Sequence, residues 1–164
     1  MDPRVVSIVS TPSMLVNTPI LPGVTEIRLG TYVFLDASQA NIIGCFDKNA
    51  AIVLTTIISK PTDERVVTDV GAKGLTIQRR AVGITATEGL GAVRNYEGVF
   101  ISRVYDEHAL IYNKEFREKI SIGDKIEIIP NHICPVVNLY DKAFLVSGDE
   151  VVGELIIERR GKLR

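Results

Sequence analysis

The 164-residue sequence has no tryptophan, only two cysteines and only two histidines. No apolar run approaches the ~18 residues that a membrane-spanning helix requires, so no span is expected. Cys45 and Cys134 with no export signal argue against a disulfide framework. The opening MDPRVVSIVSTPS lacks the charged-then-apolar pattern of a signal peptide, and a cytoplasmic protein is expected. An excess of either sign is lacking, with a formal net charge of −1. Lys and Arg are scattered apart from the tail Arg159–Arg164, so no nucleic-acid footprint is present. Repeats and low-complexity segments are absent too.

What is abundant is Val and Ile, within an apolar content of 46%, and this favours strands. A short strand is expected over Arg4–Val9. Ser10-Thr11-Pro12 then reads as a helix N-cap with Pro in the first turn, leading into weak helical turns over 13–18. A second strand is expected over Val24–Leu35. Asp36-Ala-Ser-Gln39 resembles a capping box opening a short helix to about Ile43, stopped by Gly44. From Ala51 the texture changes to frequent strands: 51–59, 66–69, 99–105 with 108–112 as a bent hairpin or a bulged pair, 125–129, 142–147 and 151–158. Short strands with loops are expected over 79–97, and the last pair turns at Gly148-Asp149. A mainly β fold follows, with a closed or sandwiched β domain over about 46–164.

The chemistry concentrates in residues 123–141, GDKIEIIPNHICPVVNLYD. The alternation of Lys125–Ile129 runs through Pro130 to His132 and Cys134. In an extended chain, residues two apart share a face, which would set an imidazole beside a thiol. That donor pair suits zinc or another borderline-soft divalent metal, in an open site completed by water or substrate. The plainer alternative makes Cys134 a small buried hydrophobe and His132 a hydrogen-bonded strand residue.

This stretch resembles the C-terminal signature of the D-serine dehydratase and D-threonine aldolase family. These are fold-type III pyridoxal-phosphate enzymes related to alanine racemase. GVTEIRLGTYVFLDASQ at 23–39, TTIISKPTDERVVTDVGAKGL at 55–75 and the pair Glu107-His108 agree in order. The resemblance implies a β/α barrel followed by a β domain. Residues 1–45 would then be the last two strand–helix units of an incomplete barrel, and 46–164 the β-rich domain. It implies metal ligation by His132 and Cys134, with His108 as an outer-sphere group or extra ligand. Ser10 and Thr11, on a loop of the kind that holds phosphate in such barrels, and Tyr32 would face the pyridoxal phosphate. Each has a plain alternative: a helix cap, an aromatic strand residue, and a solvent-facing strand histidine for His108. Val9 stands where the family pattern Gly-Ser-Thr-Pro has glycine. Asp69 and Lys73 read as a turn and its salt partner.

The family's Schiff-base lysine belongs to a barrel strand outside these residues, and neither Lys60 nor Lys73 replaces it. No catalytic residue is therefore assigned, and pyridoxal phosphate is expected only if a lysine-bearing barrel is supplied. The resemblance implies a metal-assisted lyase acting on a small D-hydroxy-amino acid, by elimination or retro-aldol cleavage, inactive alone. Cys134 leans towards dehydration. Alternatives are a non-catalytic metal- or partner-binding β module and a truncated product without function. The apolar content and cut barrel units predict a homo-oligomer or a complex with a separate barrel subunit.

Overall fold

The computed structural model describes residues 4–162. In the expected first strand only β1 (Ser7–Ile8) pairs, parallel to β2 (Glu26–Ile27). Between them lies α1 (Thr11–Leu15), where Ser10 Oγ accepts from Ser13 N at 3.1 Å and Pro12 occupies the first turn. The strand expected to continue to Leu35 stops early. Arg28 N still bonds Ile8 O, but beyond that residue β1 offers no further partner. Unpaired backbone must satisfy itself locally, and Thr31–Val33 closes into a 3-10 turn with Leu35 at φ 57°.

Asp36 then caps α2 (Ala37–Ile43), which ends at Gly44 with φ 67°, where a side chain would strain the backbone. The capping box forms only by half. Asp36 Oδ1 accepts from Gln39 N, but the Gln39 amide turns to Ser38 Oγ at 3.2 Å rather than to the Asp36 N–H. Two strand–helix units with parallel strands thus precede the β-rich part.

That part comprises β3 (Val53–Ser59), β4 (Arg65–Thr68), α3 (Ala72–Leu75), β5 (Gly91–Val93), β6 (Arg103–Val104), β7 (Ala109–Tyr112), α4 (Lys114–Lys119), β8 (Lys125–Pro130) and α5 (Ile133–Val137). A hairpin of β9 (Lys142–Ser147) and β10 (Glu150–Ile156) follows. Of the short strands expected over 79–97, only β5 forms. The sheet order is β5-β8-β3-β4-β7-β6, with every pair antiparallel. Residues 99–101, leading into β6, return to the other edge. Leu90 N donates to Ile101 O, Ile101 N to Gly91 O and Val93 N to Val99 O, and Ala92 bridges Phe100. The two edges therefore meet through one bent segment, and the sheet curls into a barrel.

Alternation decides what fills it. Val53, Thr55 and Ile57 of β3, Ile126 and Ile128 of β8, and Val66 and Ile111 turn inward and are buried. Phe116 of α4 closes one end, edge-on to Tyr96 with ring centroids 4.8 Å apart. Each fully buried Val, Ile or Phe among them contributes about 1.5–3 kcal/mol. The β9–β10 hairpin stands apart: every residue of β9 is exposed, Phe144, Leu145 and Val146 among them. Among the described residues no helix is long and apolar enough to cross a membrane.

Candidate functional site

β8 delivers the chain to His132 in extended conformation, with φ −143° and ψ 110°. The period-2 expectation ends there. His132 is the N-cap residue of α5, and Cys134 lies in its first turn, so the pair flanks a helix start instead of sharing a strand face. Two features turn the backbone. Pro135 tolerates a first helical turn because no partner for its missing N–H is needed there. The first N–H of α5, at Ile133, finds an acceptor outside its own segment, Asp36 Oδ2 at 3.1 Å.

His132 is half-buried, and its Nδ1 lies 2.9 Å from Gln78 Oε1. An amide oxygen only accepts, so Nδ1 carries the proton and Nε2 keeps its lone pair free. Burial, and then the positive charge of Arg80, push the imidazole below its ordinary value of 6.5, against a weaker opposite pull from Asp36. The neutral form is favoured. The preceding Asn131 is buried and donates through Nδ2 to Gly89 O at 3.0 Å and Gln78 O at 3.3 Å, seating the 78–89 loop against the turn. Cys134 is exposed, with Sγ 3.6 Å from Thr31 Oγ1.

The donor set fits a soft divalent metal in kind: a neutral imidazole with one nitrogen committed to a fixed acceptor, and an accessible thiol. Among the described residues no group of three or more His, Cys, Asp or Glu side chains gathers to hold a metal ion. His108 is accordingly not brought in as a third ligand. It sits exposed on the β6–β7 turn, where its carbonyl accepts from Tyr105 N. Its neighbour Glu107 pairs with Lys73, both side chains more than 60% exposed. Lys73 is therefore not the salt partner of Asp69. Asp69 instead accepts from Thr55 Oγ1 at 2.6 Å and Thr56 N at 2.8 Å, pinning β3 to the end of β4.

The residues assigned to the pyridoxal phosphate lie on two turns, Ser10 and Thr11 at the start of α1 and Tyr32 on the 3-10 turn. Ser10 Oγ is engaged with Ser13 N and Ser13 Oγ, Thr11 is buried, and Pro12 offers no N–H. This turn, with exposed Val9 before it, fits a phosphate poorly. Tyr32 is exposed on the 3-10 turn next to Thr31, which does approach Cys134. The structure thus joins 31–36 to 132–134, through the Thr31–Cys134 and Asp36–Ile133 contacts. Asp36 and Gln78, the two groups that hold this turn, carry no sequence signal for that role. Gln78 is an ordinary polar loop residue, and Asp36 announces only a cap for its own helix.

The chain is 30% identical over 143 residues to D-threo-3-hydroxyaspartate dehydratase of Delftia sp., covering 79% of this chain and 37% of that protein. It is 29% identical over 135 residues to D-threonine aldolase of Arthrobacter sp., covering 80% and 33%. It thus spans about a third of the length of these relatives. A short relative of a different kind, an uncharacterized protein of Mycobacterium tuberculosis, is 27% identical over 132 residues, covering 77% of this chain and 96% of that protein. Among solved structures, D-threonine aldolase from Filomicrobium marinum superposes with a TM-score of 0.77 at 25% identity, over 98% of this chain and 42% of the other. The Delftia dehydratase superposes at 0.75 and 26% identity, over 92% and 43%. That enzyme has also been solved with a histidine replaced by alanine and, two positions on, with a cysteine replaced by alanine, the latter in a metal-free form. The model described as "Putative serine dehydratase domain" matches residues 50–146, more than half of the chain, and the protein belongs to that D-serine dehydratase-like family.

Proposed function

We propose that this chain supplies the metal-bearing part of a D-hydroxy-amino-acid lyase, acting by elimination of water or retro-aldol cleavage. The carrying observation is the His132–Cys134 turn, where Gln78 fixes the imidazole with Nε2 free and the thiol is exposed. The spacing of the histidine and cysteine replaced in the Delftia enzyme supports the same assignment. His132 Nε2 and Cys134 Sγ would hold zinc or another divalent cation. When bound, the metal supplies Lewis-acid polarisation of a substrate β-hydroxyl. Gln78 keeps the imidazole in one tautomer, Thr31 contacts the thiol, and the buried Asn131 holds the loop beside them. Pyridoxal phosphate would come with a lysine-bearing barrel, because the Ser10–Thr11 turn does not cradle a phosphate. Without that barrel the chain has no lyase activity.

The mycobacterial relative, matched over nearly all of its length, favours a second reading in which a module of this size acts by itself; its His132–Cys134 turn would then bind metal without catalysis. Both readings require the metal. Zinc titration by calorimetry of the wild type, His132→Ala and Cys134→Ser is the test. Binding in the wild type and sharp weakening in both variants is expected, with the β fold intact by circular dichroism. Equal binding in all three would refute the assignment.

A further inference from the structure

Asp36 is completely buried, and three hydrogen bonds converge on it. Its Oδ1 accepts from Ser38 Oγ at 2.6 Å and Gln39 N at 3.0 Å, and its Oδ2 from Ile133 N at 3.1 Å. One carboxylate thereby caps two helices, α2 at its own position and α5 from 97 positions away. Capping α2 does not by itself call for aspartate, since Asn or Ser caps a helix about as well without burying a charge. What the carboxylate adds is a second acceptor oxygen, and that oxygen is spent on α5. The demand there is real: His132, the N-cap residue, makes no side-chain capping bond of its own.

We propose that Asp36 is the positioning residue of the candidate metal centre, its Oδ2–Ile133 bond fixing the helix start that carries His132 and Cys134 on either side. Ile133 lies between the two ligands, so releasing its N–H frees the backbone torsions that set their relative orientation. Thr31, five residues earlier on the same segment, touches the Cys134 thiol and extends the contact from backbone to ligand atom. Residues 31–36 thus reach the centre from outside the β-rich part, through one backbone bond and one thiol contact. The inference rests on the metal reading above.

The test is zinc calorimetry on the whole chain, comparing wild type with Asp36→Asn, Asp36→Ser and a control, Asn113→Ala. Asn and Ser both keep a cap for α2. Asn turns an NH2 or a single shared oxygen towards Ile133, and Ser cannot reach it. Asn113 caps α4 by accepting from Phe116 N at 2.9 Å, so its loss destabilises a helix separated from the ligands by the whole of β8. Both Asp36 variants should bind zinc about 10-fold more weakly or worse, as outer-sphere substitutions do, while Asn113→Ala binds as wild type. Wild-type affinity in either folded Asp36 variant overturns the proposal, as does equal weakening in the control. Should neither Asp36 variant fold, amide exchange in the wild type decides. Zinc should slow Ile133 N–H exchange more than Phe116 N–H exchange, and equal slowing overturns the proposal. A wild type that binds no zinc refutes the metal reading itself, which separates the two failures.

Discussion

Gly71 offers a sharp test of how the barrel is assembled around the candidate site. Its φ of −123° is open to any residue, so the argument for glycine is purely one of space. A Cβ built there would lie 2.2 Å from Tyr105 O, 2.5 Å from His108 N and 2.6 Å from Asp106 O. All three are backbone atoms of the β6–β7 turn, and none can move aside by a rotamer change. That turn is also tied to the start of α3, Ala72 N donating to Tyr105 O at 2.7 Å. Overpacking costs typically about 1–3 kcal/mol when side chains adjust. With only backbone to displace, Gly71→Ala should cost about 3 kcal/mol or more. Against a total stability of roughly 5–15 kcal/mol, that is a large share, and it lowers Tm by about 6–12 °C for a chain of this size. Gly30→Ala is the control, since nothing lies within 4 Å of a Cβ at that position. Its effect should stay within about 0.5 kcal/mol. Urea unfolding of the three proteins measures both. A Gly71→Ala variant within about 1 kcal/mol of wild type, with an unchanged m value, would show that the turn is not seated as described.

Thr55→Val removes the shorter hydrogen bond to Asp69, whose carboxyl feels a burial penalty that raises its pKa but is held low on balance by Thr55 and Thr56. A depressed folded pKa contributes stability above the ordinary carboxylate range and loses it as pH falls through the folded value. The Tm gap between wild type and Thr55→Val should therefore be wider at pH 7 than at about pH 3, near or below the ordinary Asp value; a gap independent of pH would contradict the role given to Asp69. Pyridoxal phosphate with borohydride should label no single lysine stoichiometrically, because the expected Schiff-base lysine is absent from these residues and the Ser10–Thr11 turn fits phosphate poorly; specific labelling of Lys60 or Lys73 would refute this. Light scattering should find an oligomer, given Phe144, Val146, Val151 and Ile156 exposed on a hairpin and Val9 and Leu21 exposed on the strand–helix units. A monomer at all concentrations would count against it.

Much of this was legible because the signals were local. The Asp36 cap, the Gly44 stop and the α2 helix between them follow from neighbouring residues. So do β8, which alternates over Lys125–Ile128, and the turn at Gly148-Asp149. What failed was decided at a distance. The strand predicted to reach Leu35 is rich enough in β-formers, but β1 is too short to pair with it. The extended path predicted through Cys134 gives way to a helix whose first N–H is satisfied by Asp36, far upstream. Closure, expected from the sequence only as one alternative to a sandwich, is decided by residues 99–101, whose bend carries one segment between two strands. His108 showed only a motif match, and it lies on the β6–β7 turn, where among the described residues no group of three metal-ligating side chains gathers. The lesson is specific: the sequence named the ligand candidates, but not the groups that orient them.

In the proposed centre His132 and Cys134 ligate one metal ion together. Cobalt(II) in place of zinc tests it most directly, because thiolate–cobalt charge transfer reports sulfur ligation and the visible bands report coordination geometry. The wild type should show the charge-transfer band with saturation at one equivalent, and a proton should be released on binding. Because burial and Arg80 hold the His132 imidazole below its ordinary 6.5, protons should compete for that nitrogen only below such a pH. Cys134→Ser should abolish the charge-transfer band, and His132→Ala should weaken binding and alter the visible bands. A wild-type spectrum without thiolate ligation, or one unchanged by His132→Ala, would contradict the account.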